Sequence, residues 1–347
     1  MAGGIRIAFG QFREVTEEDL LFARQLGASG VTLNTPLFKG KSVYGVDIFI
    51  EARKGAREAS SPPARWDFME IVQVRSLVEA YGLRLEAIEN TPISFYDKAL
   101  LGLPGRDEQI EDYKEIIRML GKAGIPILGY HWMPAQVWRT SNSTPGRGGA
   151  RVSSFDLSLA KDAPLAFARP ISEEQLWAHY EYFIRAVLPV AEEAGVRLAL
   201  HPDDPPTEEP LGGVARIMGG FKGFQRAMEI GDSPNHGLDF CVGSWASRSI
   251  GEMWEGLRYF GPRGKLFYVH LRNVRGSVPR FQETFIDEGD VDVVAVLREL
   301  LRVGFDGFII DDHVPKMVND TAWGHRGRAF ATGYITGALR AIQTPSS

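Results

Sequence analysis

Four side chains able to bind a borderline divalent metal ion are spaced through the C-terminal half of the chain: His201, Cys241, His270 and Asp312. Each stands at the end of a short apolar run: Arg197-Leu-Ala-Leu-His201, Leu238-Asp-Phe-Cys241, Leu266-Phe-Tyr-Val-His270 and Gly307-Phe-Ile-Ile-Asp-Asp312. Two imidazoles, a thiolate and a carboxylate suit Zn²⁺, Fe²⁺ or Mn²⁺, with open positions for a substrate, whereas a thiolate is softer than Mg²⁺ or Ca²⁺ prefers. Each residue also has a plainer reading. A strand-end histidine can serve only as a hydrogen-bonding group, Cys241 as a small buried hydrophobe and Asp312 as a helix cap. Four such residues ending four consecutive runs favour a shared site.

Other polar groups are expected at the same level. Glu89 and Asn90 end one earlier apolar run and His131 another; Asp203 and Asp204 follow His201; Arg272 and Asn273 follow His270; His313 follows Asp312. Arg272 could hold a substrate carboxylate through paired hydrogen bonds, or pair with a neighbouring protein carboxylate. His313 could act as a general acid or base, since imidazole titrates near neutrality, or support a metal ligand by a hydrogen bond. His179, in mid-helix, and His236, predicted in a turn, are assigned no role.

These residues need a frame that brings strand ends together. Eight candidate strands recur along the chain: Ile5–Gly10, Val31–Asn34, Leu85–Glu89, Ile127–His131, Arg197–His201, Leu238–Cys241, Leu266–Leu271 and Gly307–Asp312. They are aliphatic or β-branched, as in strands buried on both faces. Amphipathic stretches separate them. Thr16-Glu-Glu-Asp19 and Ser172-Glu-Glu-Gln175 resemble capping boxes, and Leu176, Tyr180, Phe183 and Val187 make one helical stripe. Pro189 is expected to kink the end of that helix. Gly30, Gly82, Gly124, Gly195 and Gly304 each precede an apolar run and suit a left-handed helix end. Helix, glycine, strand, repeated, is the rhythm of parallel βα units. Eight units predict an α/β fold of the (β/α)8 TIM-barrel type, with its active site at the C-terminal ends of the strands. Residues 1–347 read as a single domain with long loops over that face. Two long connections, at 36–65 and 135–170, would both lie there, the second as a lid loop.

Composition narrows the partners. The net charge of −5 and the absence of any Lys/Arg run argue against a nucleic-acid partner. One cysteine allows no disulfide framework within the chain. The sequence shows neither a secretory signal nor an apolar stretch long enough to span a membrane, so a cytoplasmic enzyme is expected.

At these residues the chain resembles the mannonate dehydratase family. The resemblance rests on Ile88-Glu-Asn-Thr-Pro-Ile93, Pro104-Gly-Arg-Asp-Glu-Gln-Ile-Glu-Asp-Tyr-Lys114, Tyr130-His-Trp-Met-Pro134, Trp138-Arg-Thr140, Ile171-Ser-Glu-Glu-Gln-Leu-Trp177 and, most specifically, Val196-Arg-Leu-Ala-Leu-His-Pro-Asp-Asp-Pro-Pro206. Cys241-Val-Gly-Ser244, His270-Leu-Arg-Asn273 and Asp312-His313 follow in the expected order. The resemblance implies a xylose-isomerase-like TIM barrel that removes water from D-mannonate to give 2-keto-3-deoxy-D-gluconate. It implies metal ligation by His201, Cys241, His270 and Asp312, with Mn²⁺ the expected ion and Fe²⁺, Co²⁺ or Zn²⁺ as substitutes. It also implies proton transfer by His313. Glu89, His131, Arg272, Asn273 and Asn34 are the expected substrate contacts. Barrels of this kind often assemble as dimers or tetramers, although the sequence carries no interface signature.

The chain departs from the family pattern in three places. Trp323 stands where a tyrosine is usual, in Ala322-Trp-Gly-His-Arg-Gly-Arg328, and an indole cannot exchange a proton in that role. His325 is the expected catalytic substitute, with Tyr334 second. Asn34-Thr-Pro36 replaces the usual histidines after the second strand, and His131 replaces an asparagine. These changes leave the metal site intact and alter the acid–base set. A metal-dependent sugar-acid dehydratase is therefore the first reading. A metal-dependent sugar isomerase, epimerase or β-eliminating lyase on the same scaffold is the second, and an inactive sugar-acid-binding protein the third.

Overall fold

The computed structural model describes residues 4–36 and 66–343. The expected connection at 36–65 lies outside the described residues, apart from Pro36. Twelve strands are present among them: β1 Arg6–Phe12, β2 Gly30–Asn34, β3 Arg84–Asn90, β4 Ile127–His131, β5 Ser141–Pro145, β6 Arg151–Asp156, β7 Arg197–His201, β8 His236–Cys241, β9 Leu266–His270, β10 Val274–Ser277, β11 Arg280–Glu283 and β12 Phe308–Ile310. Eight of them close a parallel barrel in the order β1-β2-β3-β4-β7-β8-β9-β12, and Arg6 pairs with Phe308 at the seam. All eight candidate strands are barrel strands. A helix follows each barrel strand in the chain, from Glu17–Gln25 after β1 to His325–Gln343 after β12.

Local chemistry sets these helices. Thr16 and Ser172 both form complete capping boxes, in which the hydroxyl accepts from the third residue's amide and that residue's side chain accepts from the cap amide. The stripe Leu176, Tyr180, Phe183 and Val187 is buried on the helix Glu173–Ala194, which continues through Pro189. Gly82, Gly124, Gly195 and Gly304 have positive φ, as their places at helix ends predict. Gly30 does not. The left-handed residue after the first helix is Gly27, and Gly30 opens β2, where a Cβ would lie 2.6 Å from the Glu86 side chain and 2.7 Å from the Arg84 carbonyl.

The barrel interior is narrow. Ala8, Ala87, Ala199, Ile127, Tyr268, Phe308 and Ile310 pack with one another there, apart from the larger core between strands and helices. A Cβ on Gly129 would lie 2.1 Å from the Glu89 carbonyl oxygen, so only glycine lets β3 and β4 approach. Register puts the polar strand ends at one level: His131 pairs with His201, Cys241 with His270, and Asn34 with Asn90.

The segment 135–170 is built rather than a bare loop. It carries the hairpin β5–β6, which joins β10–β11 in a four-stranded antiparallel sheet of order β10-β11-β6-β5. Polar strands such as Ser141-Asn-Ser-Thr-Pro145 have no apolar alternation to announce them, and Phe155 and Phe281, 6.0 Å apart between ring centres, hold the sheet from one side. His236 is likewise not in a turn. It opens β8 fully buried, with Nε2 2.9 Å from the Tyr130 hydroxyl and Nδ1 2.8 Å from the Gly231 carbonyl. No helix among the described residues is long and apolar enough to cross a membrane.

Candidate active site

Strands β7, β8 and β9 deliver His201, Cys241 and His270 to one point, with their ligand atoms all within 4.8 Å of one another. Asp312 joins them from just beyond β12. Its φ of 56° is left-handed, and Oδ2 lies 3.7 Å from Cys241 Sγ and 3.7 Å from His270 Nδ1. A left-handed aspartate costs conformational energy, and such cost is tolerated where a side chain must be aimed.

The donor set fits a divalent ion. His201 Nδ1 is engaged with the Pro202 carbonyl at 2.7 Å, which leaves Nε2 to face the cluster. Cys241 is fully buried, and burial opposes its ionisation; the charge of Arg272, with His201 and His270 beside the sulfur, overcomes this and brings the thiol down to about 5. Ser244 donates to its sulfur at 3.2 Å. Both nitrogens of His270 are buried without a hydrogen-bond partner, as coordinating or strongly polarised atoms are. Burial favours neutral His201, but the Cys241 hydrogen bond and the charge of Asp239 raise it to about 9.

A second level lies beneath. Asp239 precedes Cys241 by two residues and so shares its face of β8. It groups with Glu89 and His270, all three buried. Burial pushes Asp239 up to about 7. Glu89 Oε1 accepts from Gln11 Nε2 at 2.5 Å and Asn34 Nδ2 at 3.3 Å, and Gln11 also reaches Asp312 Oδ1 at 3.1 Å. Neither Asp239 nor Gln11 was anticipated. An aspartate inside an otherwise apolar strand was the available signal for the first; nothing distinguishes Gln11 in the sequence.

On the rim, His313 Nδ1 meets Glu283 Oε1 at 2.7 Å, and its Nε2 lies 3.5 Å from Asp312 Oδ1. Burial works against the imidazolium, but the carboxylates of Asp312 and Glu283 raise its pKa. Glu283 also receives Arg139 at 2.8 Å and Arg272 at 3.3 Å. Arg139 holds both oxygens of Asp204 at 2.7 Å, so the hairpin segment is tied to the site by buried charge.

Several expected residues have other partners. Arg272 is buried and donates to Asp312, Glu283, Asp204 and Ser244, which is the protein-carboxylate pairing rather than an open carboxylate fork. Asn273 spends both side-chain atoms on the backbone of Val274, Ile286 and Val291, so it staples a loop instead of meeting a substrate. His325 is not in the cluster. At the start of the last helix, it contacts Thr321 at 2.6 Å and packs edge-on to Trp323 and to Phe22 of the helix Glu17–Gln25. Trp323 stacks on Phe12 at 4.8 Å. His131 stands beside His201, and burial, then the charges of His201 and Arg216, pull it down to about 3. Arg216, missed in the sequence, has a side chain only 1% exposed; it donates to the Gln136 carbonyl, its Nη1 lies 3.8 Å from Asp203 Oδ1, and neither Nε nor Nη1 makes a hydrogen bond among the described residues.

A family profile described as D-mannonate dehydratase (UxuA) matches residues 52–166 and 162–347. The chain belongs to the mannonate dehydratase family. Among its curated relatives, mannonate dehydratase 2 of Halalkalibacterium halodurans is 32% identical over 314 residues, covering 80% of this chain and 88% of that protein. Mannonate dehydratase of Streptococcus equi subsp. zooepidemicus is 34% identical over 307 residues, covering 80% and 83%. The crystal structure of mannonate dehydratase from Streptococcus suis serotype 2 superposes with a TM-score of 0.81 at 30% identity, covering 99% of this chain and 96% of that one. A xylose isomerase domain protein from Planctomyces limnophilus, with a TM-score of 0.60 and 16% identity, shares the barrel fold. The mannonate dehydratase family implies a divalent metal, and the groups converging at His270 suit one.

Proposed function

We propose that this protein is a hydro-lyase that removes water from a sugar acid, D-mannonate or a related aldonate, to give a 2-keto-3-deoxy acid. The observation that carries the reading is the convergence of His201, Cys241 and His270 within 4.8 Å, with Asp312 beside them and His313 at the rim. It agrees with the names of relatives more than 30% identical over most of the chain.

The four ligand residues would hold one divalent ion, for which we propose Mn²⁺, with Fe²⁺, Co²⁺ or Zn²⁺ as substitutes allowed by the thiolate. The ion would stabilise the negative charge that develops beside the substrate carboxylate when C2 loses its proton. His313 has Nδ1 anchored on Glu283, which leaves Nε2 to move a proton. The C2–H bond breaks, the electron pair forms the C2–C3 double bond, and the C3 hydroxyl departs as water after gaining a proton. The resulting enol becomes the 2-keto acid. Arg272 is committed to three protein carboxylates, whereas Arg216 meets one, Asp203 at 3.8 Å, and keeps Nε and Nη1 without hydrogen bonds, so Arg216 is the better-placed cation for the substrate carboxylate. Glu89, Asn34 and His131 would face the substrate hydroxyls. The segment 135–170, tied down by Arg139, would cover the rim.

Trp323 supports a second reading. Its ring is packed on Phe12 and offers no proton, so the acid–base set differs from the usual one and an isomerase, epimerase or other lyase of an oxidised sugar fits the same site. Product analysis separates the two. Metal-replete protein incubated with D-mannonate and a panel of aldonates should release 2-keto-3-deoxy acids; isomerised or epimerised products without loss of water would establish the second reading instead.

A further inference from the structure

His270 lies between the two levels of the site and turns a different nitrogen to each. Nδ1 is 3.7 Å from Asp312 Oδ2, the same oxygen that lies 3.7 Å from Cys241 Sγ. Nε2 is 3.3 Å from Asp239 Oδ2 and 3.6 Å from Glu89 Oε1. Asp239 and His270 are each only 1% exposed. Neither carboxylate oxygen of Asp239 has a hydrogen-bond partner, and Tyr268, its register partner on β9, has its hydroxyl unpartnered as well. A buried carboxylate without compensation is expensive. Its position two residues before Cys241, on the same face of β8, puts it under the very imidazole that would ligate the ion.

A neutral imidazole has one N–H and one lone pair, and the group that accepts the N–H decides which nitrogen keeps the lone pair. We propose that Asp239 is a positioning residue for the metal site: it accepts the proton of His270 Nε2, fixes the ring and leaves Nδ1 as the metal-binding atom. Carboxylates behind ligating histidines recur in metal sites for this reason. The competing arrangement places a second ion among Glu89, Asp239 and His270. It would require one imidazole to ligate on both sides, and therefore to lose both ring protons. The inference rests on the reading of His201, Cys241, His270 and Asp312 as the ion site.

The test is Mn²⁺ binding to purified full-length protein, by chelator competition with metal stoichiometry, together with thermal unfolding of the stripped protein. Asp239→Leu should weaken Mn²⁺ about 10- to 100-fold, in line with losses from such positioning groups. Asp239→Asn, nearly the same shape and still an acceptor, should weaken it less. Both stripped variants should unfold near the wild-type temperature, because losing the bond to His270 Nε2 is offset by no longer burying a carboxylate. A purely structural role would lower stability and leave affinity per folded molecule unchanged. Asp239→Leu affinity within about twofold of wild type overturns the proposal, as do two equivalents in wild type falling to one in the variant. Should Asp239→Leu not fold, Asp239→Ala, which also removes the acceptor, decides by the same affinity criterion. Absence of Mn²⁺ binding to wild type overturns the ion-site reading itself, which distinguishes the two failures.

Discussion

His313 Nδ1 and Glu283 Oε1 stand 2.7 Å apart across 30 residues of chain, and the same oxygen takes Arg139 and Arg272. The contact fixes the tautomer of His313 with Nε2 toward the cluster. Glu283→Ala should therefore lower kcat by roughly 10²-fold, the scale of a misplaced general acid or base, with a smaller change in KM. Steady-state kinetics on the accepted aldonate measure this. An unchanged kcat would remove Glu283 from the proton-transfer path.

Arg216 tests where the substrate carboxylate sits. A charge-assisted hydrogen bond contributes about 1.5–3 kcal/mol, so Arg216→Gln should cost roughly 10- to 100-fold in kcat/KM, expressed mainly in KM. Arg272→Gln should instead reduce folded protein, since it takes the arginine from Asp312 and leaves Glu283 and Asp204 with Arg139 alone. A KM effect at Arg272 in well-folded protein, with none at Arg216, would restore Arg272 as the carboxylate contact.

Stripping the ion should abolish turnover and lower Tm, and both should return on adding Mn²⁺. An ion at 100 times its dissociation constant stabilises a folded protein by about 2.7 kcal/mol, so Tm should rise with ion concentration. Cys241→Ser should weaken that response. A Tm indifferent to chelator and to Mn²⁺ would rule out the cluster as an ion site.

His325 and Trp323 should separate packing from chemistry. His325→Ala should keep activity within a few-fold, because its partners are Thr321, Phe22 and Trp323. Trp323→Ala removes a ring packed against Phe9, Phe12 and Phe22 and should cost about 3 kcal/mol of stability, read as a lower urea midpoint. Loss of more than 10²-fold activity in a stable His325→Ala variant would return that residue to the catalytic set.

Buried His236 predicts an acid limb of stability. Burial lowers it from 6.5 to about 4, so the unfolded chain takes up the proton first as pH falls. Its contribution is fully present above pH 6.5 and is lost between there and about pH 4, up to about 3 kcal/mol. Urea midpoints across this range should decline less steeply in His236→Asn. Parallel slopes would show that the loss comes from other groups.

The barrel was legible in the sequence because strands buried on both faces must be apolar throughout, and a polar residue ending such a run must lie at the rim. That is why His201, Cys241, His270 and Asp312 could be placed at one level from their spacing alone. Side-chain direction and partner choice were not legible. The charge of Arg272 is the same whether it meets a substrate or three protein carboxylates, and only the fold, by bringing Asp204, Glu283 and Asp312 around it, decides. Arg139 reaches Glu283 across 144 residues because β6 pairs with β11, two short strands too polar to signal their pairing. Asn273 and His325 left the expected set for the same reason: a local sequence fixes where a residue sits on its element, while hydrogen-bond partners far along the chain determine what it touches.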